Sequence, residues 1–127
     1  MRVLALDYGR ARTGVAVSDP TGTIARPLGV VKDGDVARIV ELIREHAAER
    51  VVVGLPLTLR GERGEQANEA EAFMAELSRA TSVPVVPFDE RFTTDLAEQM
   101  ASASAEEDAR AAAHLLSSYL AWASAKA

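Results

Sequence analysis

The feature that most constrains the fold is a wholly apolar run, Val51–Val53, that lies between two segments with helical periodicity. A strand that is apolar at every position suits the centre of a parallel sheet, where both faces are buried. Before this run, apolar residues at helical spacing follow Asp35, which is a suitable N-cap. After it, Glu65–Ala80 carries the apolar stripe of an amphipathic helix. A buried parallel strand between two helices predicts an α/β fold.

The other segments complete the predicted sheet. The predicted strands cover residues 3–7, 13–18, 23–32, 51–53 and 83–88. Pro27 marks the third strand as an edge strand or a bulged one. A short helix through Met100 and a last helix starting at Asp108 give the order β-β-β-α-β-α-β-α-α. We therefore predict a mixed five-stranded sheet, with three antiparallel strands followed by βαβ crossovers, covered by helices.

Composition narrows the class of protein. The length of 127 residues predicts one domain, residues 1–127. Cys is absent and there are only two His, which disfavours disulfide scaffolds, thiol chemistry and Cys- or His-based metal sites. No apolar run approaches the ~20 residues of a membrane span, and Asp7 interrupts the N-terminal run too early for a signal peptide. We expect a cytoplasmic protein without a membrane partner.

Charge is unevenly distributed along the chain. The net charge of −5 argues against a simple nucleic-acid coat, but residues 1–32 carry +3 and residues 64–127 carry −7. The basic residues are Arg except for Lys32 and Lys126. Arg suits bidentate phosphate contacts, although a GC-rich genome would produce the same bias.

Three acidic residues stand where ligands collect in α/β proteins. Asp7 ends the first strand, Glu90 follows the last strand, and Asp108 begins the last predicted helix. The carboxyl ends of parallel strands form the ligand-binding edge of such sheets. Converging carboxylates repel one another unless a cation lies between them, and carboxylate ligands favour Mg²⁺ or Mn²⁺. A pair of such ions can clamp a phosphodiester for hydrolysis. Each acid also has a structural alternative: turn hydrogen bonds for Asp7, an ion pair with Arg91 for Glu90, and helix capping for Asp108.

Four segments then resemble one family. The motifs are residues 7–19 (DYGRARTGVAVSD), 53–57 (VGLPL), 88–94 (FDERFTT) and 108–120 (DARAAAHLLSSYL). Their sequence and order are similar to those of the YqgF (RuvX) family of pre-16S rRNA nucleases, which have also been described as Holliday-junction resolvases. The resemblance implies an RNase H-like fold, with Asp7, Glu90 and Asp108 as the catalytic, metal-binding acids. It also implies trimming of the 5′ end of precursor 16S rRNA. One departure is the acidic segment before Asp108, where many relatives are basic.

Several arginines are candidates for binding nucleic acid. They are Arg10 and Arg12 in the first motif, Arg60 and Arg63 in a glycine-bounded loop, and Arg91 beside Glu90. The predicted partner is pre-rRNA first and branched DNA second, and the predicted state is a monomer or a weak homodimer.

Three alternative interpretations stay open or are set aside. A Holliday-junction resolvase would use the same acids in a symmetric dimer. A catalytically silent RNA- or protein-binding module would keep the fold without the metal. The first motif also resembles the phosphate loop of sugar kinases and actin-like ATPases, but those proteins need a second such half, for which this chain is too short.

Overall fold

A computed structural model describes residues 1–9, 11–55, 65–89 and 105–126. Within them lie five strands and three helices: β1 (Val3–Asp7), β2 (Arg12–Ser18), β3 (Ala25–Lys32), α1 (Val36–Glu45), β4 (Arg50–Leu55), α2 (Glu65–Ala80), β5 (Val85–Asp89) and α3 (Ala105–Lys126). The predicted short helix through Met100 falls outside the described residues.

The strands form one mixed sheet in the order β3-β2-β1-β4-β5. β1 pairs antiparallel with β2, and β2 pairs antiparallel with β3. β1 and β5 both run parallel to β4, which lies between them. The predicted mixed sheet is confirmed, and the carboxyl ends of β1 and β5 lie at the same edge of it.

Both faces of the sheet are covered, as the apolar β4 predicts. Val51 and Val53 pack with α1 and α2 on one face, which we name the α1/α2 face. Val52 packs with α3 on the other, which we name the α3 face. β1 alternates in the same way, with Leu4 and Leu6 on the α1/α2 face.

Local signals place the ends of several elements. Asp35 caps α1 by accepting a hydrogen bond from the backbone N–H of Arg38, as predicted. The pairing of β2 with the edge strand β3 shifts between Val15 and Ala16, beside Pro27, so the proline marks an edge strand that is also bulged. No helix among the described residues is long and apolar enough to cross a membrane.

The last helix differs from its prediction in two respects. It begins at Ala105 rather than Asp108, so Asp108 lies inside the first turn together with Glu106 and Glu107. Ala favours helix, and carboxylates in a first turn interact favourably with the helix dipole, which explains the earlier start. The helical spacing of Ala112, Leu115, Leu116 and Tyr119 predicts that Trp122 also lies on the buried side. Trp122 is instead 41% exposed, although its ring packs beside Phe88 at a centroid distance of 5.8 Å.

Candidate active site

Asp7 is the last residue of β1 and is half-buried. Val3 and Ala5 pack in the cluster on the α3 face. Because alternate side chains of a strand share a face, the side chain of Asp7 also belongs to the α3 face. The strand therefore delivers this carboxylate to the edge of the sheet, on the side covered by α3.

Gly14 links Asp7 to the last helix. It is the register partner of Asp7 across the β1–β2 ladder. A Cβ atom built on Gly14 would lie 2.1 Å from the backbone oxygen of Asp108 and 2.7 Å from its carbonyl carbon. Only a residue without a side chain permits so close an approach. The main chain of Asp108 therefore lies against the strand position directly opposite Asp7.

Asp108 is also tied to β2 through its side chain. The Nε of Arg12 lies 2.8 Å from Oδ2 of Asp108, and the two side chains are 32% and 22% exposed. Arg12 is the first residue of β2, two positions before Gly14, so it lies on the same face of the sheet. The ion pair and the close contact at Gly14 together fix the first turn of α3 against the start of β2.

The third predicted acid stands next to a described residue. Asp89 ends β5 and is the register partner of Leu55 in β4. Glu90 itself lies outside the described residues, as do Arg10, Arg60, Arg63 and Arg91. Among the described residues, no group of three His, Cys, Asp or Glu side chains is placed to hold a metal. Of the three predicted acids, Asp7 and Asp108 lie within the described residues, and both adjoin Gly14: Asp7 as its register partner and Asp108 through its backbone.

The donor chemistry of these two acids suits a hard divalent cation. Both supply carboxylate oxygens, the ligands that Mg²⁺ and Mn²⁺ prefer. Both are partly exposed at one edge of the sheet, where water and a substrate can reach them. The residues present therefore fit a Mg²⁺ or Mn²⁺ ion.

Two features of the site were not predicted from the sequence. The first is the close approach of α3 to Gly14, and the second is the Arg12–Asp108 ion pair. A glycine inside an otherwise apolar strand is a signal for close backbone approach. No comparable signal in the sequence joins Arg12 to a residue 96 positions later.

The sequence is similar to curated proteins from bacteria. It is 46% identical to a protein of Chloroflexus aurantiacus, in an alignment that covers 93% of this chain and 85% of the relative. It is also 46% identical to a protein of an Anaeromyxobacter species, with 94% and 96% covered. Both relatives carry the provisional name of pre-16S rRNA nuclease.

The fold is similar to that of solved structures of RuvC from Thermus thermophilus. One of them superposes with a TM-score of 0.61 at 19% identity over 97% of each chain. A second, of RuvC in complex with a Holliday junction substrate, gives a TM-score of 0.59 at 20% identity over 96% of each chain. At these identities the likeness concerns the fold alone, and it confirms the predicted RNase H-like architecture.

The model of the RuvX family, which is described as Holliday junction resolvase, matches residues 1–122. This match and the curated relatives confirm both the predicted family and the predicted enzyme class, nuclease. The chain, in which the backbone of Asp108 lies against Gly14, the register partner of Asp7, belongs to the RuvX family.

Proposed function

We propose that this protein is a metal-dependent nuclease that hydrolyses a phosphodiester bond near the 5′ end of precursor 16S rRNA. The observation that carries the proposal is the convergence at Gly14. This residue pairs with Asp7 on one side and meets the backbone of Asp108 on the other. Two carboxylates from opposite ends of the chain thereby come to one edge of the sheet.

The proposed metal ligands are Asp7, Glu90 and Asp108, and the proposed ion is Mg²⁺ or Mn²⁺. Glu90 follows directly after β5 and comes two positions after Phe88, which packs on the α3 face. β5 is separated from β1 by β4 alone, which supports Glu90 as the third ligand. When bound, such an ion activates water for attack and neutralises charge on the phosphate.

The residues of the chain supply the remaining requirements of the reaction. Asp7 and Asp108 hold negative charge at a partly exposed edge, so that an ion and a phosphate bind there together. We assign phosphate contacts to the arginines of the first motif, Arg10 and Arg12. We assign the same role to Arg60, Arg63 and Arg91, whose guanidinium groups match phosphate oxygens in pairs.

The choice of substrate rests on the relatives. Pre-16S rRNA appears in the names of both bacterial relatives, and the alignments cover 85% and 96% of their lengths. We therefore propose precursor rRNA as the nucleic-acid partner, a single nuclease domain over residues 1–127, a monomer or weak homodimer, and action in the cytoplasm, where rRNA is processed.

The test is cleavage of labelled single-stranded RNA that spans the 5′ end of a 16S precursor, with a four-way DNA junction in parallel. Mg²⁺ or Mn²⁺ is present, and EDTA is the control. We expect RNA cleavage with metal, and a decrease of kcat/KM by about a thousandfold in Asp7→Asn and in Asp108→Asn, because each removes a charge that holds the ion.

Glu106→Gln is the matched control for Asp108→Asn. Glu106 lies in the same turn of α3 and pairs with Arg110 on the surface, at 2.7 Å. This variant makes the same change of charge and should cleave at the wild-type rate. If the protein cuts the junction symmetrically and leaves the RNA intact, the proposed substrate is branched DNA and not rRNA. No cleavage of either substrate, with both metals and at high enzyme concentration, would overturn the nuclease proposal.

A further inference from the structure

The ion pair between Arg12 and Asp108 occupies an atom that the proposed metal site needs. Nε of Arg12 lies 2.8 Å from Oδ2 of Asp108, a short charge-assisted contact. Both side chains are partly exposed, at 32% and 22%. Solvent reaches both side chains, so that it partly screens the pair and a competing cation can approach the carboxylate.

A divalent ion and the Arg12 guanidinium compete for Asp108. A cation bound at the carboxylate would face the positive charge of Arg12 at a separation of a few ångströms, and like charges at that distance repel. The ion pair and the ion therefore favour different positions of the Arg12 side chain.

We infer that Arg12 is an internal counter-ion of Asp108, which a divalent ion displaces and which then contacts a phosphate of the nucleic acid. The inference rests on the proposed function and deepens it. Arg12 neutralises Asp108 when no ion is bound. When an ion binds Asp108 in its place, the Arg12 side chain contacts a phosphate of the substrate. Net charge is conserved in each exchange of partner, and no covalent bond changes.

The position of Arg12 suits this exchange. It is the first residue of β2, on the face that carries Gly14 and the first turn of α3. Its long side chain can leave the carboxylate without moving the strand. A guanidinium also binds phosphate in a bidentate manner that a carboxylate-bound metal ion does not obstruct. Binding of the ion and binding of nucleic acid are then positively coupled, since each favours the same released position of Arg12.

The first test measures Mn²⁺ binding to the full chain without nucleic acid, by titration calorimetry and by the electron paramagnetic resonance signal of free Mn²⁺. Arg12→Gln removes the competing charge and should lower the Mn²⁺ dissociation constant by about two- to fivefold, the range expected for a partly exposed pair. Arg12→Lys keeps the charge and should stay closer to wild type. It also keeps the inference testable if the Gln variant does not fold.

Arg110→Gln is the matched control. Arg110 lies two positions after Asp108 on α3 and pairs with Glu106 instead. Its loss changes the net charge equally, and the Mn²⁺ dissociation constant should stay within about 1.5-fold of wild type, because exposed charges are screened. Equal or weaker Mn²⁺ binding in Arg12→Gln would overturn the inference. Weaker binding would show instead that Arg12 positions Asp108 for the ion.

The second test measures the salt dependence of single-stranded RNA binding, with Ca²⁺ or with EDTA. In wild type, Ca²⁺ should steepen the slope of log Kd against log salt by about 0.7, the value for one additional phosphate contact. Arg12→Gln should lack this increment. An equal increment in both proteins would assign the new contact to another residue and overturn the exchange.

The outcomes separate this inference from the proposed function. If the protein binds Mn²⁺ but cleaves no nucleic acid, the proposed nuclease function is overturned. The competition between Mn²⁺ and Arg12 for Asp108 can still be measured from the Mn²⁺ affinities. Cleavage with unchanged Mn²⁺ affinity in Arg12→Gln would overturn the competition alone. No Mn²⁺ binding to wild type would overturn both.

Discussion

Beside the site, the two faces of the sheet are packed with side chains of different size, and the difference explains how α3 approaches the sheet there. Large residues such as Leu4, Leu6 and Leu77 fill the α1/α2 face. Beside the site, the α3 face is built from small residues: Ala5, Gly14, Ala16, Ala109 and Ala112 are there, all of the alanines buried. Large side chains hold a helix away from a sheet, whereas small ones let the backbones meet. Near the site, the α1/α2 face therefore contributes burial of large side chains, whereas the α3 face brings the backbone of Asp108 to Gly14, the register partner of Asp7.

The largest effect on stability is expected on the α1/α2 face. Leu77 of α2 is fully buried in its core, and Leu77→Ala should lower the free energy of unfolding by about 2–5 kcal/mol through lost burial and a residual cavity. Urea denaturation measures this loss. We expect kcat/KM per folded molecule to change less than about twofold, because the rearrangement around the cavity is confined to the α1/α2 face and does not reach the site on the α3 face. A tenfold loss of activity in folded protein would contradict the division between the faces.

Gly14→Ala should have the opposite pattern. A methyl group in strand backbone normally stabilises slightly, but here it would lie 2.1 Å from the Asp108 backbone oxygen, so α3 must shift. We expect a stability loss of about 1–3 kcal/mol from overpacking. Activity per folded molecule should fall by about 100-fold, since displacement by an ångström misplaces a catalytic group. Full activity in the variant would show that the close approach does not position Asp108.

Two hydroxyl groups of β2 sharpen the comparison further. Thr13 is fully buried, and its Oγ1 has no hydrogen-bond partner among the described residues. Thr13→Val should therefore raise the free energy of unfolding by about 1 kcal/mol. Ser18 is the matched control, because its Oγ accepts a hydrogen bond from the N–H of Val3 at 2.8 Å. Ser18→Ala leaves that buried donor without its acceptor and should destabilise by about 1–3 kcal/mol. Thermal unfolding of both variants shows whether each substitution raises or lowers the free energy of unfolding.

The carboxylate of Asp19 differs from the proposed metal ligands, because it accepts hydrogen bonds from several donors of the protein. The backbone N–H of Ile24, the hydroxyl of Thr21 and the N–H of Thr23 donate to it and hold the pKa of its carboxyl well below the usual value of 3.8. A carboxyl whose pKa is lower in the folded state stabilises the fold above its unfolded pKa, and this contribution is lost as the pH falls. Asp19→Asn should thus lower the urea midpoint at pH 7.

The difference between wild type and Asp19→Asn should start to shrink as the pH falls below about 5, where the unfolded-state carboxyl becomes protonated, and should go on shrinking until the folded-state carboxyl is protonated as well. Because Asp19 is at the surface, this is the smallest of the expected effects. Metal should not alter it. A difference that is independent of pH would assign the role of Asp19 to its shape rather than to its charge.

Much of the fold could be predicted because its signals are local. The apolar run at Val51–Val53 indicates a strand buried on both faces, and Asp35 marks the start of α1 through a hydrogen bond within one turn. Glu65–Ala80 is helical over the predicted range. The start of α3 was predicted three residues late, because charged residues before Asp108 resemble a linker while they also suit a first helical turn.

The site was predictable in part. The positions of Asp7 and Asp108 at predicted element ends, with the four motifs, were enough to name them as candidates. The fold places the backbone of Asp108 against Gly14, the register partner of Asp7, and their role as metal ligands stays a prediction. The Arg12–Asp108 ion pair could not be predicted, because a contact between residues far apart in the chain depends on the packing of α3 on the sheet. The roles of Glu90 and of the four other arginines stay predictions, since these residues lie outside the described part of the chain.

The sequence by itself determined which residues form strands and helices, since apolar spacing and capping act within a few positions of the chain. It also determined, through its motifs, the family. Only the tertiary structure decided that α3 approaches the sheet at Gly14 and that Arg12 holds Asp108. These contacts depend on how small side chains let two distant backbone segments meet, and that property belongs to the packed molecule rather than to any one segment.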